Sequence, residues 1–181
     1  MTNVNWSQLE KKVAEIKRNR VSARSRAVYQ NSYGRFVAWV VLHKPQLLTP
    51  AFAQRLGDVS DLSIIQLRKT HLNLDEANPP LQFDVLQSDV FEAWLLTLEK
   101  RDGSTLSFSA LNTHRAGLFN LYRDYGCEMS VAMEKDLRQY FKGIKWEMAT
   151  AAARGEAPPP TNTKGHAICE GVHGNFFESH V

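Results

Sequence analysis

Four basic residues towards the C-terminal end of the sequence recur at helical spacing. They are Lys135, Arg138, Lys142 and Lys145, separated by three, four and three positions. Such spacing places side chains along one side of an α-helix. Apolar residues of the same stretch form a second stripe about 120° around the helix, at Leu137, Phe141, Ile144, Met148 and Ala151. A helix that packs with one face and exposes cations on another is suited to binding a polyanion.

The same stripe is also typical of an ordinary solvated helix face, because Lys and Arg are common on exposed helices. The formal net charge is only +3, but it is unevenly distributed. Residues 1–44 contain nine Lys and Arg against two acids, whereas residues 45–102 contain five against nine. A basic N-terminal third favours nucleic acid or another acidic surface as a partner, without deciding between them.

Length and composition indicate one globular domain with tails. Of the 181 residues, 43% are hydrophobic and 23% are charged, as in proteins with a packed core. No apolar run approaches the roughly 20 residues of a membrane span, and no hydrophobic segment follows the first charges, so we expect neither a membrane partner nor secretion. Cys127 and Cys169 lack disulfide-framework spacing, which favours a reduced compartment.

Capping residues predict where the helices begin. Ser22, Ser107 and Ser130 each precede an apolar periodic stretch, and Thr49-Pro50 combines a cap with proline at the first helical position. Another helix opens at Asp84 or Ser88. Residues 6–20 predict a short amphipathic helix or a basic arm, and residues 57–83 read as an irregular connector with a small helix or packed loop near its middle.

Glycine and proline predict where the helices end. Lys44-Pro45 ends the helix that starts after Ser22, while Gly103 and Gly126 supply left-handed stops for the next two long helices. Because the link around Gly103 looks short, we expect the helices on either side of it to be antiparallel neighbours. Gly117, inside a helix, indicates a close helix–helix contact.

These elements predict an all-α fold, a compact bundle of about four principal helices, because no alternating pattern is long enough for a sheet. Residues 1–21 form the N-terminal arm or short helix, and residues 22–154 form the helical domain. Residues 155–181 form a Pro-rich linker and a tail that we expect to be disordered.

The helical domain resembles the N-terminal core-binding domain of tyrosine recombinases of the phage-integrase type, a SAM-like fold, and within it the recombinases of Crypton-type mobile elements. Residues 29–39 resemble the family's first helix. The other residues that carry the resemblance are Phe91-Glu-Ala-Trp94-Leu-Leu-Thr-Leu98, Asp102-Gly103, residues 106–122 (Leu106-Ser107 to Leu121-Tyr122), Asp124-Tyr125-Gly126 and Phe141-Lys142-Gly143-Ile144-Lys145.

In that family the domain forms half of a clamp around duplex DNA, so the resemblance implies DNA as the partner, and other recombinase protomers as further partners. The matching basic positions are Arg24, Arg26, Arg35, Arg115, Arg138, Lys142 and Lys145. Lys and Arg bind backbone phosphates through counterion release. Resemblance to eukaryotic elements implies a nuclear location, or a cytoplasmic one in another source. It implies no cofactor and no small-molecule substrate.

The chain departs from the family in its chemistry. The family's catalytic domain supplies two arginines, a His-x-x-Arg motif and a tyrosine nucleophile, and no His-x-x-Arg occurs in this sequence. Tyr140, beside Phe141, reads as a core residue rather than a nucleophile. We therefore expect no strand cleavage by this chain alone. The alternative is that it is a fragment of a complete recombinase encoded by a longer frame.

The residues also bear on two other functions, metal binding and protein–protein interaction. His166, Cys169 and His173 are loosely spaced like metal ligands, but a structural zinc site needs four ligands in paired spacings, so we expect no metal site. A helical protein–protein interaction module stays open as the alternative to DNA binding, since the aromatic stripe of residues 29–40 would also suit a partner's surface.

Overall fold

A computed structural model describes residues 5–18, 21–70 and 77–156 of the chain. Within these ranges there are seven α-helices and one short 3-10 helix, Pro45–Leu47. The α-helices are α1 Trp6–Arg18, α2 Ala23–His43, α3 Pro50–Leu56, α4 Ile64–Lys69, α5 Ser88–Leu96, α6 Phe108–Asp124 and α7 Val131–Ala153. The described residues form no sheet, only the isolated bridges Leu48–Leu81 and Glu99–Thr105. The predicted all-α fold is confirmed.

Side-chain caps fix the starts of α2, α3, α6 and α7, as the sequence predicted, whereas α5 begins at Ser88, one of its two predicted starts, without a side-chain cap. Ser22 accepts a hydrogen bond from the backbone N–H of Ser25 at 3.1 Å, and Thr49, Ser107 and Ser130 bond in the same way to the residue three positions on. These bonds satisfy N–H groups that have no partner inside the helix. The connector's small helix, α4, begins with a capping box between Ser63 and Gln66.

The two predicted glycine stops have different outcomes. Gly126 has φ +63°, and the N–H of Cys127 bonds the carbonyl of Tyr122 at 2.9 Å, so α6 ends as predicted in a Schellman turn. The prediction for Gly103 is wrong, because α5 already ends at Leu96. Gly103, at φ +77°, lies instead in a tight turn where Lys100 N–H bonds the carbonyl of Ser104 at 2.8 Å.

The core is organised around α2. Phe36, Val37 and Val40 are fully buried, and the ring of Phe36 lies 5.2 Å from that of Phe91 and 5.1 Å from that of Trp94. Helix α2 packs most extensively against α6 and next against α4. The aromatic stripe of α2 is thus used inside the fold and does not face a partner.

Gly117 lies at the α2–α6 contact, as predicted. A Cβ at this position would lie 2.6 Å from the Oγ of Ser32. The expected pairing of α5 with α6 as close neighbours is wrong, since α5 packs mainly against α7. The reason is the length of the link, because residues 97–107 separate the two helices and leave α5 free to pack elsewhere.

Candidate nucleic-acid interface

Helix α7 presents two faces of different chemistry. Its inner face, with Met133, Leu137 and Phe141, is buried against α5 and α6. The side chains of the outer stripe are all exposed, and we name this surface the α7 basic face, formed by Lys135, Arg138, Lys142 and Lys145. The spacing in sequence and the burial in the structure agree, so the stripe is free of any packing role in the described residues.

Arg115 of α6 extends this surface. Its side chain is half-buried, and its Cζ lies 5.2 Å from the ring centroid of Phe141 and 5.8 Å from that of Phe119. Phe141 is three residues after Arg138 and four before Lys145, so it borders the α7 basic face on the helix surface. The cation–π contact therefore holds the Arg115 guanidinium at the edge of that face.

Trp146 belongs to the same surface and was missed by the sequence reasoning. It is 70% exposed, although large aromatic side chains are usually mostly buried. It lies four residues after Lys142, which places it on the same side of α7. Its exposure could have been predicted from the spacing. A residue one turn after Lys142 lies on the side of the basic stripe and therefore outside the apolar stripe.

The acids of α7 are mostly on other sides of the helix. Asp136 and Glu147 are exposed and lie more than a third of a turn of the helical wheel from the centre of the α7 basic face. Glu134, half-buried one turn before Arg138, borders the face and suits the positive end of the helix dipole. The face therefore keeps a net positive charge.

The three predicted residues on α2 lie elsewhere. Arg24 is exposed and Arg26 half-buried in the first turn of α2. Arg35 is half-buried, and it interacts electrostatically with Arg68 of α4 and His114 of α6. These arginines belong to α2, which packs mainly against α6 and α4, so they are not part of the α7 basic face. Phe141 brings Arg115 to the edge of that face, beside Arg138, Lys142 and Lys145.

Other chemistry finds little support in the described residues. Within them no group of three His, Cys, Asp or Glu side chains is arranged to hold a metal ion, and the residues 166–173 lie outside the described ranges. Tyr140 packs against Phe141, its hydroxyl donates to the carbonyl of Glu92 at 3.4 Å, and burial raises its pKa. Burial also raises the pKa of the half-buried Cys127 thiol, which disfavours the reactive thiolate.

An apolar cleft of about 290 Å³ lies between α5 and the C-terminal half of α7, lined by residues such as Leu96, Leu106, Ile144 and Met148. Its lining is mostly hydrocarbon and offers no paired acid and base. None of the described helices combines the length and the hydrophobicity that crossing a membrane requires.

Comparison with models of known protein families, with curated proteins and with solved structures finds no match for this chain.

Proposed function

We propose that this chain binds duplex DNA through the α7 basic face, in the manner of the core-binding domain of a tyrosine recombinase. Strand cleavage by the chain itself is not part of the proposal. The observation that carries it is the two-sided nature of α7, whose inner face is buried while Lys135, Arg138, Lys142 and Lys145 are all exposed. A long helix with one exposed cationic side can contact several backbone phosphates.

Two further side chains favour the interpretation that this face binds a polyanion over the interpretation that it is an ordinary solvated helix face. The guanidinium of Arg115 is held at the edge of the face by Phe141, so its positive charge adds to those of α7 without a large loss of side-chain entropy on binding. Trp146 offers an exposed aromatic surface beside Lys142, which suits packing against sugar or base groups.

The test is fluorescence anisotropy of a labelled mixed-sequence duplex with the wild-type chain and the double variant Lys142→Glu/Lys145→Glu. Both side chains are exposed, so the variant should unfold at nearly the wild-type temperature. It should lose at least about 100-fold in affinity, because two phosphate contacts are replaced by two repulsions.

The matched control is Lys100→Glu/Arg101→Glu, in the exposed turn between α5 and α6. It changes the net charge by the same amount and should reduce affinity far less. An equal loss of affinity in the two variants would show that DNA binding depends only on the overall charge of the protein. It would contradict a specific role for α7.

A second candidate function, a helical interaction module, is favoured by one observation. The apolar stripe of α1 is exposed along its whole length, at Trp6, Leu9, Val13 and Ile16. This is the pattern of a helix that docks into a groove of a partner. A folded protein that fails to bind the duplex even at low salt would favour this function.

A further inference from the structure

The apolar face of α1 is exposed along the whole helix. Its four large apolar side chains recur at spacings of three, four and three, which places them on one side of the helix, and they are Trp6, Leu9, Val13 and Ile16. Each is between 47% and 71% exposed. Apolar side chains at this spacing are the anchors with which an amphipathic helix docks into a groove.

The apolar cleft between α5 and the C-terminal half of α7, which we name the α5–α7 cleft, offers such a groove. It has a volume of about 290 Å³, and Leu106, Ile144 and Met148 are among the side chains that line it. Leu96, also in its lining, is 76% exposed. In the single chain, water contacts both the cleft and the apolar face of α1, and joining the two surfaces would remove apolar area from water.

The charges of the two surfaces are complementary. The sequence of α1 contains four Lys and Arg against two acids, whereas the charged residue among those that line the cleft is an acid, the exposed Glu147. Lys12 lies three residues after Leu9 and four before Ile16, so it borders the apolar face of α1. Its ion pair with Glu15, at 2.9 Å, is exposed and therefore weak, so Lys12 can exchange it for a contact with an acid at the cleft.

The topology places α1 and the cleft at opposite ends of the helical bundle. The carbonyl of Tyr29 lies beside Gly117. Ser32, one turn later in α2, hydrogen-bonds with His114, one turn earlier in α6. Helix α2 therefore runs antiparallel to α6, and its start, to which α1 is joined, lies near the end of α6. The cleft includes Leu111, near the start of α6.

We propose that this chain forms a two-fold symmetric dimer in which α1 of each copy docks into the α5–α7 cleft of the other. Two bundles that lie side by side in opposite directions bring the α1 end of each copy to the cleft end of the other. The same contact is then made twice around one axis, which closes the dimer and prevents growth into a filament. The cleft is on the apolar side of α7, so the dimer does not depend on DNA binding by the α7 basic face.

The test is the molar mass of the full chain, measured by light scattering after size-exclusion chromatography over a range of protein concentrations. The mass of the wild type should rise from that of a monomer to that of a dimer as the concentration increases. Leu9→Glu/Val13→Glu should raise the dissociation constant of the dimer at least about 30-fold, because it places charges against hydrocarbon. Leu96→Glu, in the cleft, should have a similar effect.

Val131→Glu is the matched control for Leu96→Glu. Val131 is 84% exposed and begins α7, whereas the cleft lies at the other end of that helix. This variant gains the same charge in place of an exposed aliphatic side chain and should dimerise like the wild type. Because all the substituted side chains are exposed, every variant should unfold at nearly the wild-type temperature.

A mixture of the α1 variant and the cleft variant separates reciprocal docking from other kinds of association. Leu9→Glu/Val13→Glu keeps an intact cleft and Leu96→Glu keeps an intact α1, so a mixed dimer can form one of the two contacts. The mixture should therefore dimerise more strongly than either variant alone. A wild type that stays monomeric at every concentration would overturn the proposal, since α1 would then be free or docked within its own chain. A dimer that Leu96→Glu leaves unchanged would also overturn it, because α1 would not be using the cleft.

Discussion

The imidazole of His114 lies between α2 and α5, with its Nδ1 2.7 Å from Ser32 Oγ and its ring edge-on to Trp94 at 5.2 Å. Burial, and to a smaller extent the charge of Arg35, lower the pKa of His114 to about 4. A charged imidazole at this position would be desolvated next to a guanidinium. His114 is therefore neutral in the folded chain at neutral pH.

This depressed pKa predicts an acid-sensitive stability. Between about pH 6.5 and pH 4 the unfolded chain binds a proton at His114 and the folded chain does not, so the free energy of unfolding falls as the pH falls through this window. The loss should amount to about 2–3 kcal/mol, and it should be absent above pH 7, where both states are neutral. Urea unfolding at a series of pH values measures it.

His114→Gln is the control, because an amide can keep the hydrogen bond to Ser32 without titrating. Carboxylates also titrate at the lower end of the window, so the informative quantity is the difference between the two pH profiles. Parallel profiles of the wild type and the variant would mean that His114 does not titrate in this way.

At the scale of helices, the approach of α2 to α6 depends on one missing side chain. A Cβ on Gly117 would lie 2.6 Å from Ser32 Oγ and 2.9 Å from Ser32 Cβ. The same Oγ of Ser32 forms the hydrogen bond to His114. Any side chain at position 117 must therefore either separate the two helices or turn Ser32 away from its partner.

We expect Gly117→Ala to destabilise the fold by about 1–3 kcal/mol. Alanine gains about 1 kcal/mol in helix propensity, but overpacking costs about 1–3 kcal/mol and the disturbed hydrogen bond about 1 more. Gly143→Ala is the matched control, since Gly143 is exposed on α7 with nothing within 4 Å of its would-be Cβ. It should stabilise by about 0.5–1 kcal/mol. Chemical denaturation measures the stability of both variants. A Gly117→Ala variant that is more stable than Gly143→Ala would contradict this account.

The elements themselves were largely predictable from the sequence, and their arrangement was less so. Helix starts depend on a bond from a capping residue such as Ser130 to an N–H three positions away, which is local information. The two faces of α7 follow from periodicity for the same reason. The pairing of α5 with α7 joins distant parts of the chain, and so does the electrostatic interaction of Arg35 with Arg68. Spacing along the sequence does not encode such contacts. The error at Gly103 arose because a single glycine was used to place the end of α5, which ends earlier, at Leu96.

At the scale of the whole molecule, the net charge of +3 is too small to explain strong binding to DNA by itself. The acidic middle segment, residues 45–102, offsets much of the positive charge elsewhere. The proposed binding to DNA therefore requires a local concentration of cations, such as that of the α7 basic face and Arg115. Local contacts and overall charge differ in how binding responds to salt, because only cations that touch phosphates release condensed counterions.

We predict that the logarithm of the duplex affinity falls with the logarithm of the salt concentration with a slope of about −4.5, from five cations each contributing about −0.9. Raising the salt from about 50 to about 200 mM should then weaken binding about 500-fold. Anisotropy titrations at four or more salt concentrations give the slope, and Arg115→Gln should reduce its magnitude by about one contact. A slope near zero would exclude phosphate contacts as the source of binding. An unchanged slope in Arg115→Gln would place the guanidinium outside the interface, in which case its contact with Phe141 serves only the packing of α6 on α7.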